Sequence, residues 1–499
     1  MATTLATPGV YIEEKSSFGS SVVPVQTAIP AFIGYTSKAS RGSKDLTNVP
    51  TRISSLGQFE ELFGGAPTTK FNIESDDSAV GFKLSFVEDS KFLLHSSMRL
   101  FYANGGADCY IVSVGGYDEK IDAAKLNDPK GGGLTALEKY LEPTIIVIPD
   151  AILLDENDCY SLQAAMLQHC GYKLKNRFAI LDVYEGAKER TFDDDDAIDK
   201  FRNGVGSNFL QWGASYYPFL NTTIVSKSEI DFTRIANLDG LSEVLSKEVA
   251  ENLEADNITA ARAEGITAEI DKIPDTTEAD AVNSLNSTLT VISPSLNLIL
   301  AEVSEMLNVL PPSPAMAGAY AMVDNQASVA QSPANISLGS VIAPVVNINN
   351  DNQEELNLPL NGKAVNAIRT FQGKGVLVWG ARTLEGNSKD YRYVSVRRTM
   401  TFLEQSIKAA AEAFVFAPNN ATTWSTLRAT VSSFLTNQWQ SGLLAGQSAD
   451  DAFTVDIGLG ATMTPNDILD GILKMTVKVA ITRPAEFIVI TFEQQQQKS

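Results

Sequence analysis

Cys109-Tyr110-Ile111-Val112-Ser113-Val114 opens the stretch on which the fold turns. From it to about residue 225, short apolar runs alternate with amphipathic ones. Tyr110–Val114, Thr144–Ile148, Phe178–Val183 and Thr222–Val225 read as strands, with helices near 134–141, 158–170 and 195–203. Continuous apolar strands separated by helices predict an α/β layer with a partly parallel sheet. Beyond it, about 241–271 and 279–310 carry helical stripes; Leu285, Leu289, Ile292, Leu296, Ile299, Val303 and Leu310 fall near one face. Ser293-Pro294 predicts a break, with Pro at a first helical position. Pro311-Pro312-Ser313-Pro314 closes the block. Residues 109–310 therefore read as an insertion between the halves of another domain, 26–108 and 311–483.

On the amino-terminal side, Val10-Tyr11-Ile12 and the serines that follow read as an extended arm over 1–25. Ala31-Phe32-Ile33-Gly34-Tyr35 reads as a buried strand, 54–63 as a short helix and 86–103 as a longer one. On the carboxyl side, 345–361 reads as polar loop, and Gly375–Gly380 and Arg392–Val396 as strands. Arg397–Phe416 and 422–440 read as helices. Thr464-Pro465-Asn466-Asp467 has the composition of a capped helix start. Two strands, about 472–482 and 486–493, finish the chain, with a polar tail inside the segment 484–499.

The chain has 499 residues, enough for two to four domains. Its net charge of −21 argues against nucleic-acid binding and against anionic membranes. Three cysteines without a C-x-x-C spacing fit neither a disulfide framework nor a zinc site. No signal peptide and no apolar run long enough to span a membrane is visible, so synthesis and folding in the cytosol are expected, with any exit by lysis or as part of a particle.

Catalytic patterns fail one by one. His95 and His169 are the two histidines, and His169-Cys170 are helix neighbours whose side chains diverge. Gly373-Lys374-Gly375 lacks the rest of a phosphate loop and reads as a turn. Asp193–Asp196 lacks calcium-loop spacing and reads as a solvated helix start. No catalytic, metal or cofactor site is expected. The basic residues Arg397, Arg398 and Lys408 read either as a salt-bridged helix surface or as a face toward an acidic partner. Two rival classes stay open on these residues: an α/β enzyme with a carboxyl-terminal extension, and another self-assembling shell or tube protein.

Several segments resemble the sheath proteins of contractile injection systems, the family of phage tails, R-type tailocins and extracellular phage-tail-like particles. They are Thr7-Pro8-Gly9-Val10-Tyr11-Ile12-Glu13-Glu14, Ala317-Gly318-Ala319-Tyr320, Pro333-Ala334-Asn335, the run Gly373 to Thr383, Arg397-Arg398 and Pro484-Ala485-Glu486-Phe487. The resemblance covers about 5–36 and 311–493. It implies an α+β multidomain chain with an inner domain from both chain ends, an inserted outer α/β domain, and strand arms that join neighbouring copies. The arms would be Pro8, Gly9, Val10, Tyr11, Ile12 and Glu13 at one end, and Glu486, Phe487, Ile488, Val489, Ile490, Thr491 and Phe492 at the other. It implies helical self-assembly, possible sheath paralogues, an inner tube protein met by Arg397, Arg398 and Lys408, and baseplate and terminal cap partners. No cofactor is implied.

Overall fold

The computed structural model describes residues 22–76 and 81–489. The expected arm Pro8–Glu13 and the last three expected strand residues, Ile490–Phe492, lie outside them. The described residues form two units: 26–398 with 483–489, and 399–482 with 22–25.

The larger unit is built on a sheet whose strands are β1 (Pro30–Gly34), β2 (Thr51–Ile53), β3 (Cys109–Ser113), β4 (Ile145–Val147), β5 (Phe178–Asp182), β6 (Gly213–Tyr217), β7 (Ile336–Ser337), β8 (Asn366–Phe371) and β9 (Gly375–Val378). Their spatial order is β7-β9-β8-β6-β5-β4-β1-β3-β2. The strands from β8 to β3 run parallel, and β2, β9 and β7 pair antiparallel at the margins. Phe32 of β1 stands opposite Ile111 and Val147. Side-chain alternation divides the core between the two faces. Ala31, Ile33, Val112, Ile146 and Leu181 enter one cluster. Phe32, Ile111, Val147, Ile180 and Tyr216 enter the other.

The path from β1 to β3 crosses the second face by helix α1 (Leu94–Ala103), and the path from β3 to β4 crosses the first by Leu126, Leu134 and Leu137. The winding therefore reverses at β1, and doubly wound sheets take their ligands outside the strand ends at such a reversal. The helices α2 (Glu156–Gln168) and α3 (Ala197–Gly204) pack on the first face. On the second lies α4 (Ser313–Gln326), which comes close to α1 because a side chain at Gly318 would sit 2.5 Å from the Phe101 carbonyl. Tyr320 of α4 reaches the sheet, with its hydroxyl 2.8 Å from that of Tyr216.

A third cluster stands apart from the sheet. It joins the hairpin Phe71–Ser75/Phe82–Phe86 to four helices, Leu238–Glu254, Ala260–Ile270, Ala279–Ile292 and Pro294–Asn308. The break at Ser293 is as expected: its hydroxyl accepts from Leu296 N at 3.1 Å and Pro294 begins the helix. In the smaller unit, α5 (Val394–Glu412) enters from the larger one and α6 (Ala421–Gln440) packs on it through Phe402 and Phe434. β10 (Phe453–Ile457) and β11 (Met475–Val479) pair antiparallel beside α6. Thr464 and Asp467 form the expected capping box.

Several expectations need correction. Residues 109–310 are not an insertion, because β3–β6 lie in the middle of a sheet shared with β1 and β8. What branches off is the helical part beyond about 225, with the 71–86 hairpin. The division between units falls at Arg398, not at either edge of 109–310. The helix expected over 86–103 is confined to 94–103, since Phe86 belongs to a hairpin strand. Residues 392–396 begin α5 and are not a strand, and a helix, Asn350–Asn357, lies inside the expected loop. Residues 486–489 belong to no strand among the described residues.

Candidate assembly surfaces

The chemistry-bearing residues are committed to structure. His169 Nε2 is 2.9 Å from Arg177 Nη1, and burial beside Arg177 and Lys173 holds its pKa down at about 3. Arg177 also donates to the Leu137 and Tyr140 carbonyls, at the end of the helical turn 133–139. Burial pushes Cys109, Cys159 and Cys170 up to about 12, leaving protonated thiols. His95 lies 3.5 Å from Glu60, its pKa lowered by burial and by Arg99. Among the described residues no cluster of three or more His, Cys, Asp or Glu could hold a metal ion. No helix of the described residues is long and apolar enough to cross a membrane. Gly373-Lys374-Gly375 is the turn between β8 and β9; both glycines have left-handed φ, 75° and 78°.

The acidic run is only partly solvated. Asp193–Asp195 are exposed, but Asp196 is buried as the cap of α3, accepting from Ile198 N at 2.9 Å and pairing with Arg190 at 2.7 Å. A lone carboxylate at a helix start satisfies donors that have no partner inside the helix.

The crevice at the winding reversal is filled from within. Asp150 follows β4 and is fully buried; its oxygens accept from Tyr35 N at 3.0 Å and Leu93 N at 2.7 Å, at the start of α1. A side chain on Gly34 would lie 2.5 Å from Asp150 Oδ2, so glycine is needed there. The chain thus places its own anion where doubly wound folds hold a phosphate. A neighbouring groove of about 630 Å³ beyond the ends of β1 and β3 carries mixed charges, among them Lys38, Asp128 and the Glu119–Lys125 pair at 2.7 Å.

A second buried carboxylate, Asp182 at the end of β5, accepts from the backbone N–H and the hydroxyl of Ser313, which opens α4. Burial pushes Asp150 up to about 6 and Asp182 up to about 7 from an ordinary 3.8. A carboxyl whose pKa is raised on folding stabilises the fold below its unfolded pKa, and this contribution is lost as pH rises through the folded value. The contribution of these two carboxyls is therefore expected to fall as pH rises from about 4 to about 7, opposed by His169, whose lowered pKa adds stability over the imidazole range; between about pH 5 and about pH 8, Asp182→Asn should remove on the order of 1–2 kcal/mol of the carboxyls' fall. Urea unfolding of both proteins at the two pH values checks it; parallel pH profiles would refute it.

The carboxyl end holds the expected strand-exchange residues that fall within the described structure. β10 has β11 as its one strand partner among the described residues. Thr454 and Asp456 on it, and Thr476 and Lys478 on β11, are exposed. An open strand edge of this kind is a template for an added strand. The expected donor begins beside the larger unit. Glu486 is held there by Arg382, Asn357 and Tyr393, while Ile488 and Val489 are 79 % and 89 % exposed. No local sequence signal marks the Arg382–Glu486 pair, whose members lie 104 positions apart.

The three basic residues separate. Arg397 and Arg398 are each 4 % exposed, which removes them as surface contacts. Arg397 lies 4.2 Å from the centroid of the Trp212 ring and 4.7 Å from that of Tyr391. Arg398 binds Asp324 at 3.0 and 2.6 Å. Their planar guanidinium groups stack and chelate where an ammonium would not. Lys408 is exposed.

The doubly wound body thus has its crevice closed by its own carboxylate, and the second unit carries an open strand edge. Residues 387–495 match the family model described as the phage tail sheath C-terminal domain. The chain is similar over 99 % of its length to the sheath of an extracellular contractile injection system, PVC, in the contracted state, at 27 % identity, TM-score 0.60 and 99 % coverage of that chain. It is also similar to the helical sheath of the anti-feeding prophage in the contracted state (26 % identity, TM-score 0.61, 99 % of this chain and 100 % of that one). A chain of the six-fold symmetrised baseplate of the same prophage matches at 26 % identity and TM-score 0.60, over 99 % of this chain and 100 % of that one. No curated protein sequence matches. The chain has the fold of contractile-sheath subunits.

Proposed function

We propose that the chain is a structural sheath subunit of a contractile phage-tail-like injection system. Copies polymerise helically around an inner tube in an extended, metastable state and contract to drive the tube through a target envelope. The observation that carries this reading is the end-to-end similarity to contracted-state sheath chains, together with the sheath domain over residues 387–495.

Strand addition links the copies: Pro8–Glu13 of one and the segment Glu486–Phe492 of another, rooted at Glu486 in its own larger unit, extend the β10–β11 sheet of a third. Each added backbone hydrogen bond contributes about 1 kcal/mol, and several act together. The exposed edge of β10 and the exposure of Ile488 and Val489 support this. Lys408 is the remaining basic candidate for contact with an acidic tube. Assembly in the bacterial cytoplasm, release within a particle, and contacts with baseplate and cap proteins complete the reading. No catalytic step or cofactor is required, since contraction follows from better packing between neighbours.

Electron microscopy of the purified chain, alone and with its tube protein, tests the proposal. Ridged hollow tubes are expected in at least the second sample. Dispersed particles in both would overturn it.

A further inference from the structure

The small hairpin Ser40–Arg41/Lys44–Asp45, which follows β1, holds an unfavourable arrangement of charge. Lys38, Arg41 and Lys44 are all exposed, in a stretch from 38 to 44 that contains no acid. Arg41 stands directly opposite Lys44 in the ribbon. Like charges in that position destabilise a strand pair. The turn between them is tight, with Gly42 at a left-handed φ of 62°. The base of the hairpin is tied down: Lys38 N donates to the Phe63 carbonyl at 3.0 Å and Leu46 N to the Ala39 carbonyl at 2.9 Å. Among the described residues no carboxylate pairs with any of the three cations. Asp45, the next acid along the chain, is taken by Thr47, whose N–H and hydroxyl donate to it at 2.9 and 2.8 Å.

The opposite excess stands on the helical branch of the same unit. Between 238 and 280 there are twelve acids and three bases, and ten of those acids are exposed. Among the described residues of that stretch there is one ion pair, Lys272–Glu269 at 2.6 Å. Glu251 and Glu254 lie in the last turn of the helix Leu238–Glu254, which contains no base, and Asp256 follows in an exposed turn. The carboxyl end of a helix favours cations, so acids there are destabilising.

We infer that the basic hairpin of one copy seats on the acidic helical branch of a second copy, with Arg41 and Lys44 against Glu251 and Glu254. Each surface carries a like-charge cost that the other relieves, and the chain's net charge of −21 makes an unpaired basic tip a rare feature of its surface. Complementary charge steers the encounter and fixes its register. A single exposed pair contributes little. Here every copy offers one hairpin and receives another, a head-to-tail contact that repeats along an assembly. Its use in a helical sheath rests on the function proposed above; the contact itself does not.

Sedimentation velocity of the full chain without tube protein, at low salt and at about 0.3 M salt, tests the contact. Electron microscopy with tube protein tests the sheath reading separately. The wild type should self-associate at low salt and lose this at high salt. Arg41→Glu with Lys44→Glu should weaken low-salt association about tenfold or more, and so should Glu251→Lys with Glu254→Lys. Mixing the two variants restores opposite charge at both contacts, so the mixture should associate where each variant alone does not. Lys374→Glu with Lys389→Glu makes the same change of net charge elsewhere on the exposed surface and should leave association unchanged. A mixture no stronger than its parts, an equal loss in the control, or a wild type that stays monomeric at low salt would overturn the inference.

Discussion

Asp150→Ala is expected to lose on the order of 3–5 kcal/mol of stability. The carboxylate is the acceptor for Tyr35 N and Leu93 N, two donors brought together by separate segments of the chain, and no solvent reaches the site. Removing it orphans both donors and opens a void against Gly34. Orphaned buried donors carry their full desolvation cost. Asp150→Asn fills the void but offers one acceptor and one amine, so one of the two donors meets a donor. It should fall between the wild type and the alanine variant. Thermal or urea unfolding ranks the three; an alanine variant within about 1 kcal/mol of wild type would show that the crevice is not held by this group.

Deleting Ile488–Ser499 is expected to abolish ordered tubes while leaving the subunit's melting temperature within a few degrees of the intact chain. The cut falls beyond Glu486, so the Arg382 clasp is kept. The residues removed that lie within the described structure are exposed and pack on nothing that needs them. What is lost is strand donation, which under the proposed function is the link between copies. Sedimentation and electron microscopy with tube protein present read the outcome. Normal tubes from the truncated chain would remove the donated strand from the mechanism.

The sequence was most legible where local pattern and burial agree. β1, β3, β4 and β5 are uninterrupted apolar runs because both faces of a central parallel strand are covered. The Ser293-Pro294 and Thr464-Pro465 starts were legible because capping is a local device. β6 escaped because Gly213-Ala214-Ser215 has little strand character; its place is set by neighbours on both sides. The division into units was misplaced because the sheet is threaded from sequence-distant pieces, so chain order hides which segments share a layer. Arg397-Arg398 looked like surface because arginines usually are; their burial depends on Asp324, Trp212 and Tyr391, which no spacing rule connects to them. Asp150 and Glu486, which fix the crevice and the arm's root, were equally hidden, since each finds its partners across the fold.

Helix α5 has a consequence for how the gene can vary. It is one unbroken run of 19 residues carrying Arg398, which points into its clasp, and Phe402, which meets Phe434. Each residue added to an α-helix turns everything after it by about 100° and advances it by about 1.5 Å. A single codon gained or lost between those two positions would set both side chains in conflict, although no residue type had changed. Turns such as 255–259 and 274–278 can absorb such length changes at little cost. Substitutions should therefore be found along α5, while insertions and deletions collect in the helical branch.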